Sequence, residues 1–201
     1  MKITDCKNFS EIFYYQGEWC PDRVFIYDLR SQRTYTFKQF NGIVEKTANY
    51  LLSMGVQAGD RVTVVIENSP EFCFFYFAVI RIGAIINPMP FTSHHEEILK
   101  NIQQVEPRMA FIDEKKEKEF PREKRGRIVF IPVGAERRFE ATIEPMAEVV
   151  TKKIKIAENN PACLYYSSGT TAEPKGVLFS HKNMIADISS ICRGFKFRPE
   201  G

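Results

Sequence analysis

Residues 165–177 read Tyr165-Tyr166-Ser167-Ser168-Gly169-Thr170-Thr171-Ala172-Glu173-Pro174-Lys175-Gly176-Val177. Apolar runs at residues 163–166 and 177–179 flank the polar part and read as short strands, so the polar residues are predicted to form their connecting loop. Small side chains let backbone N–H groups approach a phosphate, hydroxyls add donors, and Lys175 supplies positive charge. The pattern therefore predicts a phosphate-binding loop. The plainer alternative is an ordinary hairpin rich in Ser and Thr.

This loop differs from the phosphate loop of the P-loop NTPases. That motif reads G-x-x-x-x-G-K-[ST] and opens a helix. Here Pro174 occupies the place of its second glycine, Gly176 occupies the place of its Ser or Thr, and a strand-like apolar run follows. The sequence therefore disfavours a P-loop NTPase.

The string instead resembles the phosphate loop of the adenylate-forming (AMP-binding) enzymes: acyl- and aryl-CoA synthetases, luciferases and peptide-synthetase adenylation domains. Their pattern is approximately [YF]-T-S-G-T-T-G-x-P-K-G, and residues 166–176 depart from it at two positions. Ser167 replaces Thr and keeps the hydroxyl. Ala172 replaces Gly and would be strained if that position requires a positive φ. We expect a locally adjusted loop that keeps its function.

Further landmarks of the same family occur in the family's order across residues 20–185. They are Pro21-Asp22, residues 34–37, 59–62, 68–72 and 78–84, Pro88, Glu97-Ile98, and Ser180-His181-x-Asn183. Each is weak alone, but their shared order makes a chance resemblance very improbable.

The resemblance implies a reaction and a set of site residues. In this family ATP and a carboxylic acid give an acyl-adenylate and pyrophosphate, and a thiol, usually that of coenzyme A, then accepts the acyl group. Lys175 would be catalytic by neutralising phosphate charge. Ser167 would lie nearest the Mg²⁺ that accompanies ATP, since Mg²⁺ takes oxygen ligands. The residues implied to bind ATP are Ser167, Ser168, Gly169, Thr170, Thr171, Ala172, Lys175 and Gly176.

The composition is that of a globular protein with little charge bias, since 44% of residues are hydrophobic, 26% are charged and the net charge is +3. It gives no argument for nucleic acid binding.

The longest apolar run, residues 72–80, is too short to span a bilayer. The start lacks a signal-peptide hydrophobic region. The five cysteines are scattered, without a C-x-x-C pair. They indicate reduced thiols and a cytoplasmic location.

Strands alternating with capped helices predict an α/β fold with a mainly parallel sheet flanked by helices. By resemblance, this is the N-terminal part of the large domain of an acyl-CoA synthetase. Thr36 with Gln39, Ser69 with Pro70, and Ser93 with Glu96 mark three helix starts. Residues 133–160 are weakly patterned and are interpreted as a long connection. We expect an α/β lobe over residues 1–160. The phosphate-loop hairpin and a helix, over residues 161–201, would begin a second subdomain.

Two further sequence features have two interpretations each. The aromatic cluster at residues 72–77 is typical of a buried core helix, with an acyl-binding wall as the alternative. His181 would either help to position the loop or serve only as a residue at a helix N-terminus.

The resemblance leaves the substrate and the acceptor open, because the family's adenine and ribose sites, mobile lysine and most of its carboxylate pocket lie beyond this loop. The chain is expected to be an N-terminal fragment that is inactive alone and prone to self-association through apolar residues of the hairpin. Residues 85–90 favour an AMP-forming acyl-CoA ligase, placed in fatty acid metabolism, that uses a small carboxylic acid, ATP and coenzyme A. The alternatives are an adenylation domain that loads a carrier protein and a non-catalytic nucleotide-binding or interaction module.

Overall fold

The computed structural model describes residues 6–134, 136–150, 154–167 and 175–195. The helices are α1 Phe9–Trp19, α2 Phe37–Ser53, α3 Pro70–Arg81, α4 His95–Val105, α5 Arg138–Ile143 and α6 His181–Phe195. The strands are β1 Val24–Asp28, β2 Arg33–Thr36, β3 Arg61–Val65, β4 Ile85–Pro88, β5 Met109–Asp113, β6 Ile128–Ile131, β7 Pro161–Ser167 and β8 Lys175–Ser180. From α2 to β5 the strands alternate with helices, as the sequence predicts.

The central sheet has the strand order β6-β5-β3-β4-β7-β8, while β1 and β2 form a separate antiparallel hairpin. Strands β6, β5, β3, β4 and β7 run parallel, and only β8 is antiparallel to its neighbour. The chain moves from β3 to β4 on one side and then crosses to β5 on the other. The predicted α/β fold with a mainly parallel sheet is confirmed. Because β7 pairs with β4, the hairpin extends this same sheet, and the division at residue 160 stays a prediction.

Helix α3 is buried, as its apolar composition predicts. Phe74, Phe75, Ala78, Val79 and Ile80 are fully buried and belong to the larger of two cores. That core also takes in buried residues of α1, α2, α5 and α6. A smaller core packs α4 against the sheet through Val65, Ile98 and Ile112. The centre of the aromatic cluster at residues 72–77 is therefore core. No helix in the described part of the chain has the length and apolar character needed to cross a membrane.

Two of the three predicted helix starts are confirmed. Thr36 and Gln39 form a complete capping box at α2, and Ser69 caps α3 by accepting from the Phe72 N–H. The third start is shifted by one residue, because α4 begins after His94, whose N–H donates to the Glu97 carboxylate at 3.3 Å. Since acids stand at both 96 and 97, the sequence pattern could not distinguish the two registers.

Replacing Ser69 by alanine is expected to lower the free energy of unfolding by about 1 kcal/mol, because the first turn of α3 loses its side-chain acceptor. Urea unfolding followed by circular dichroism measures this difference. The control is Ser53→Ala near the end of α2, where the exposed hydroxyl bonds only to the Tyr50 carbonyl. An equal loss in the two variants would contradict a capping role for Ser69.

The prediction that residues 133–160 form only a long connection is wrong. The short helix α5 lies within it, and its Phe139 and Ile143 side chains are 0% and 1% exposed. Tyr35 of β2 donates to Glu140 of α5 at 2.9 Å, which ties this helix to the β1–β2 hairpin. A single apolar pair four residues apart is too short a signal to reveal a helix by periodicity.

Glu67 joins three segments near the carboxyl end of β3. Its carboxylate accepts from Arg30 at 2.7 Å and from Lys115 at 2.5 Å. Hydrogen bonds from these two cations lower the pKa of Glu67 from 4.5 to about 2. The β1–β2 hairpin and the segment after β5 are thereby held to the segment after β3.

Replacing Glu67 by glutamine is expected to reduce stability in a pH-dependent way. Because the pKa in the folded state is about 2, against 4.5 ordinarily, the carboxylate stabilises the fold above pH 4.5. That contribution is lost as the pH falls through about 2. The difference in unfolding free energy between wild type and variant should therefore shrink in acid. Glu158→Gln, at an exposed ion pair with Lys182, is the control. A difference that is constant with pH would contradict this account.

Candidate functional site: the phosphate-loop hairpin

Strands β7 and β8 form an antiparallel hairpin, and the last residues that pair between the two strands flank residues 168–174. Tyr166 pairs with Gly176, and Ser167 pairs with Lys175. Because β7 runs parallel to β4 and β3, its end lies at the edge of the sheet where their carboxyl ends also lie. Ligands of open α/β sheets bind outside this edge. The hairpin therefore presents its connecting segment where a small-molecule site is expected.

The described residues contain only part of the predicted site. Lys175 is the first residue of β8 and is exposed, Gly176 follows it within the strand, and the backbone of Ser167 ends β7. The register places the backbones of Ser167 and Lys175 opposite one another. Ser168, Gly169, Thr170, Thr171 and Ala172 lie outside the described residues. Their roles, like the Mg²⁺ role of Ser167, remain predictions.

Gly176 is packed closely by its cross-strand neighbours. A Cβ at this position would lie 3.1 Å from Leu164 Cδ1 and 3.3 Å from a ring atom of Tyr166. Few real Cβ contacts are that tight, so a larger residue would push these side chains aside. Glycine thus keeps β8 close to β7 next to Lys175.

Strand β7 is held to the body of the protein by a tyrosine pair. The hydroxyl of Tyr165 lies 3.2 Å from that of Tyr76 on α3, and the Tyr165 ring packs edge-on against Phe179 of β8. Cys163, fully buried, pairs with Ile86 of β4. Burial raises the pKa of Tyr76 and of Cys163, so both groups stay neutral. Sequence reasoning missed Tyr76, since nothing in the pattern relates it to β7.

The end of β8 is fixed where it enters α6. Asn183 Oδ1 accepts from the N–H and hydroxyl of Ser180 at 3.1 and 2.8 Å, and the His181 N–H donates to the Asn160 carbonyl. The His181 ring is buried, and its Nδ1 accepts from the Phe9 N–H at 3.1 Å. Burial lowers the pKa of His181 to about 4, so the ring is neutral at neutral pH.

The outer surface of β8 is apolar and exposed. Val177, Leu178 and Phe179 are 45%, 54% and 37% exposed. Met184 and Ile188 of the following helix α6 are partly buried against the larger core. Within the described part of the hairpin, the exposed apolar side chains are those of Tyr165 and of these three β8 residues.

This arrangement is suited to an anion. Lys175 places an exposed ammonium group beside the ends of a Ser- and Thr-rich segment. Glu173 is the single acidic residue in the sequence between Ser167 and Lys175. Backbone N–H groups in such a segment, together with a cation, form the usual recognition for phosphate.

Comparisons with known proteins identify the family of this chain. A model of the family described as AMP-binding enzyme matches residues 13–200. 4-Coumarate–CoA ligase 1 of Petroselinum crispum is 31% identical over 170 residues, which cover 78% of this chain and 29% of that enzyme. A long-chain-fatty-acid–CoA ligase of Mycobacterium tuberculosis is 29% identical over 150 residues, covering 69% of this chain and 25% of that enzyme. This chain therefore spans less than a third of either relative.

The fold is similar to that of a solved protein, apo MatB from Rhodopseudomonas palustris. The TM-score is 0.80 at 21% identity, covering 96% of this chain and 38% of that one. The match of the family model to nearly the whole chain confirms the resemblance carried by residues 166–176. The chain belongs to the AMP-binding enzyme family.

Proposed function

We propose that this chain forms the ATP-phosphate-binding part of an AMP-forming acyl- or aryl-CoA ligase. The reaction joins a carboxylate oxygen to the α-phosphorus of ATP and breaks the bond from that phosphorus to the β-phosphate bridge. Pyrophosphate leaves, and the thiol of coenzyme A then displaces AMP from the acyl carbon. The enzyme would work on a small carboxylic acid. The scattered cysteines favour a reducing compartment.

The observation that carries this proposal is the closure of β7 on β8 at Ser167 and Lys175, on the carboxyl edge of the parallel sheet. The paired backbones bring the two ends of residues 168–174 together. A segment held at both ends loses less conformational freedom when it closes around a phosphate chain than a free one would. The named CoA ligases among the relatives support the same assignment.

The chain's own residues would have distinct tasks in this reaction. Lys175 would neutralise negative charge that develops on the departing pyrophosphate, where a cation favours the transition state over the ground state. The hydroxyls of Ser167, Ser168, Thr170 and Thr171 would donate to phosphate oxygens. Ser167 would also offer an oxygen to the Mg²⁺ that enters as part of the substrate MgATP. Gly169, Ala172 and Gly176 would leave the backbone N–H groups accessible.

Carboxylate-dependent exchange of labelled pyrophosphate into ATP tests the proposal. The assay uses the complete product of the gene that encodes this chain, with a panel of aromatic and fatty acids. We expect exchange with at least one acid, and formation of its CoA thioester when coenzyme A is added. Exchange without thioester formation would favour an adenylation enzyme that loads a carrier protein. Absence of exchange with every acid, in protein that still binds ATP, would favour a non-catalytic nucleotide-binding module.

A further inference from the structure

His181 connects the end of the hairpin to the start of the chain. It is the first residue of α6, directly after β8, and its side chain is 0% exposed. Its Nδ1 accepts the N–H of Phe9, the first residue of α1, at 3.1 Å. The first N–H groups of a helix have no partner within the helix. His181 therefore caps α1 from a position 172 residues away in sequence.

Phe9 is itself fixed in the larger core. Its side chain is 5% exposed, and its ring stacks on Phe77 of α3 at a centroid distance of 5.7 Å and meets Phe13 edge-on. Asn8 caps the same turn of α1 by accepting from the Glu11 N–H. The acceptor on His181 is thus bound to a rigid point of the fold.

Strand β8 is paired along one edge only. Among the described residues it pairs with β7 alone, and all of its residues before Ser180 are exposed. Its register with β7 sets where Lys175 stands relative to Ser167. A six-residue edge strand is easily displaced unless one of its ends is fixed. The end opposite Lys175 is held by the local bonds of Ser180 and of the His181 N–H described above, and the His181 side chain adds the bond that ties this end to α1.

We infer that His181 is a positioning residue, which fixes the end of β8 to α1 and thereby keeps Lys175 opposite Ser167 for binding of ATP phosphates. The anchoring of the strand follows from the contacts above. Its consequence for ATP rests on the proposed function.

The protonation state of the ring agrees with this role. Nδ1 can accept a hydrogen bond only while the ring is neutral, and the positive end of α1 disfavours an imidazolium. The proton then resides on Nε2, which has no partner among the described residues. A side chain that merely filled space would be better apolar, since a buried N–H without an acceptor is costly. In this structure, the hydrogen bond from the Phe9 N–H to Nδ1 compensates for burying the polar ring.

Three substitutions at this position separate anchoring from simple filling of space. His181→Asn keeps an acceptor at the same number of bonds from Cβ as Nδ1. His181→Gln moves that acceptor one bond outward, and His181→Leu removes it. Ser189→Ala is the matched control, because Ser189 is also buried on α6 and its hydroxyl has no partner among the described residues.

Hydrogen exchange in the complete gene product is the first measurement. For His181→Leu and His181→Gln, we expect amides of β7 and β8 to exchange about tenfold faster than in wild type, the effect of losing one buried hydrogen bond. Amides of β3 and β5 should not change. His181→Asn and Ser189→Ala should behave as wild type. If the leucine variant does not fold, the comparison of asparagine with glutamine decides the question.

Steady-state kinetics is the second measurement. The KM for ATP should rise about tenfold in His181→Gln and stay close to wild type in His181→Asn, with the KM of the carboxylic acid unchanged in both.

The two measurements together decide the inference. Unchanged hydrogen exchange of the hairpin in the glutamine and leucine variants would overturn it, as would hydrogen exchange that rises equally throughout the sheet. Faster hairpin exchange with an unchanged KM for ATP would overturn the positioning role. An inactive wild type would refute the proposed function alone, and hairpin exchange would still decide the anchoring.

Discussion

Replacing Lys175 by alanine is expected to lower the rate of ATP–pyrophosphate exchange at subsaturating ATP by about tenfold to a hundredfold. A charge-assisted hydrogen bond to phosphate contributes about 1.5–3 kcal/mol, and the alanine variant loses it in the transition state. Lys175 is exposed at the start of β8, so truncation of its side chain should leave the fold intact.

Two matched variants give this prediction its controls. Lys175→Arg keeps the charge and should retain more exchange activity than alanine. Lys182→Ala removes an exposed lysine of α6 that bonds to Glu158, and exchange should be unaffected. Equal rates in wild type and Lys175→Ala, at an ATP concentration below KM, would exclude Lys175 from the phosphate site.

Replacing Phe75 by alanine is expected to lower the free energy of unfolding by about 3–5 kcal/mol, the usual cost of truncating a buried phenylalanine. Phe75 is fully buried on α3, and its ring lies 4.8 Å from those of Phe111 on β5 and Phe139 on α5. The cavity would therefore open between the sheet and two helices, where little can collapse to fill it. Guanidinium unfolding measures the loss.

The control for Phe75→Ala is the same truncation of an aromatic residue at the surface. Trp19, at the end of α1, is 68% exposed, so Trp19→Ala should change the free energy of unfolding by less than about 0.5 kcal/mol. A small loss in Phe75→Ala, comparable to that in Trp19→Ala, would mean that the α3 core is not packed as described.

The parts of the fold that sequence could predict are those set by local chemistry. The cap at Ser69 and the capping box at Thr36 mark their helices because the bonds involved span only three residues. The parallel sheet followed from the alternation of strands and helices. The hairpin followed from two apolar runs on either side of residues 167–176. Each of these signals is complete within a short segment.

The features that sequence could not predict depend on contacts between distant segments. Helix α5 is too short to show a period, and it is stabilised by Phe139 packing on Phe75. The bond from Phe9 to His181 and the tyrosine pair of Tyr76 with Tyr165 leave no local pattern. The order of strands, with β5 beyond β3 and β7 beyond β4, arises from the crossovers. The predicted roles of residues 168–172 are still open to experiment.

The most direct test of the central claim is hydrogen exchange of the complete gene product with and without MgATP. If the hairpin binds the phosphates, amides of residues 166–176 should gain protection when MgATP is added. Amides of α4, whose Ile98 side chain packs with Ile112 in the smaller core, should not change. Lys175→Ala should need a higher ATP concentration for the same protection. Protection by MgATP elsewhere in the chain, with residues 166–176 unchanged, would contradict the account.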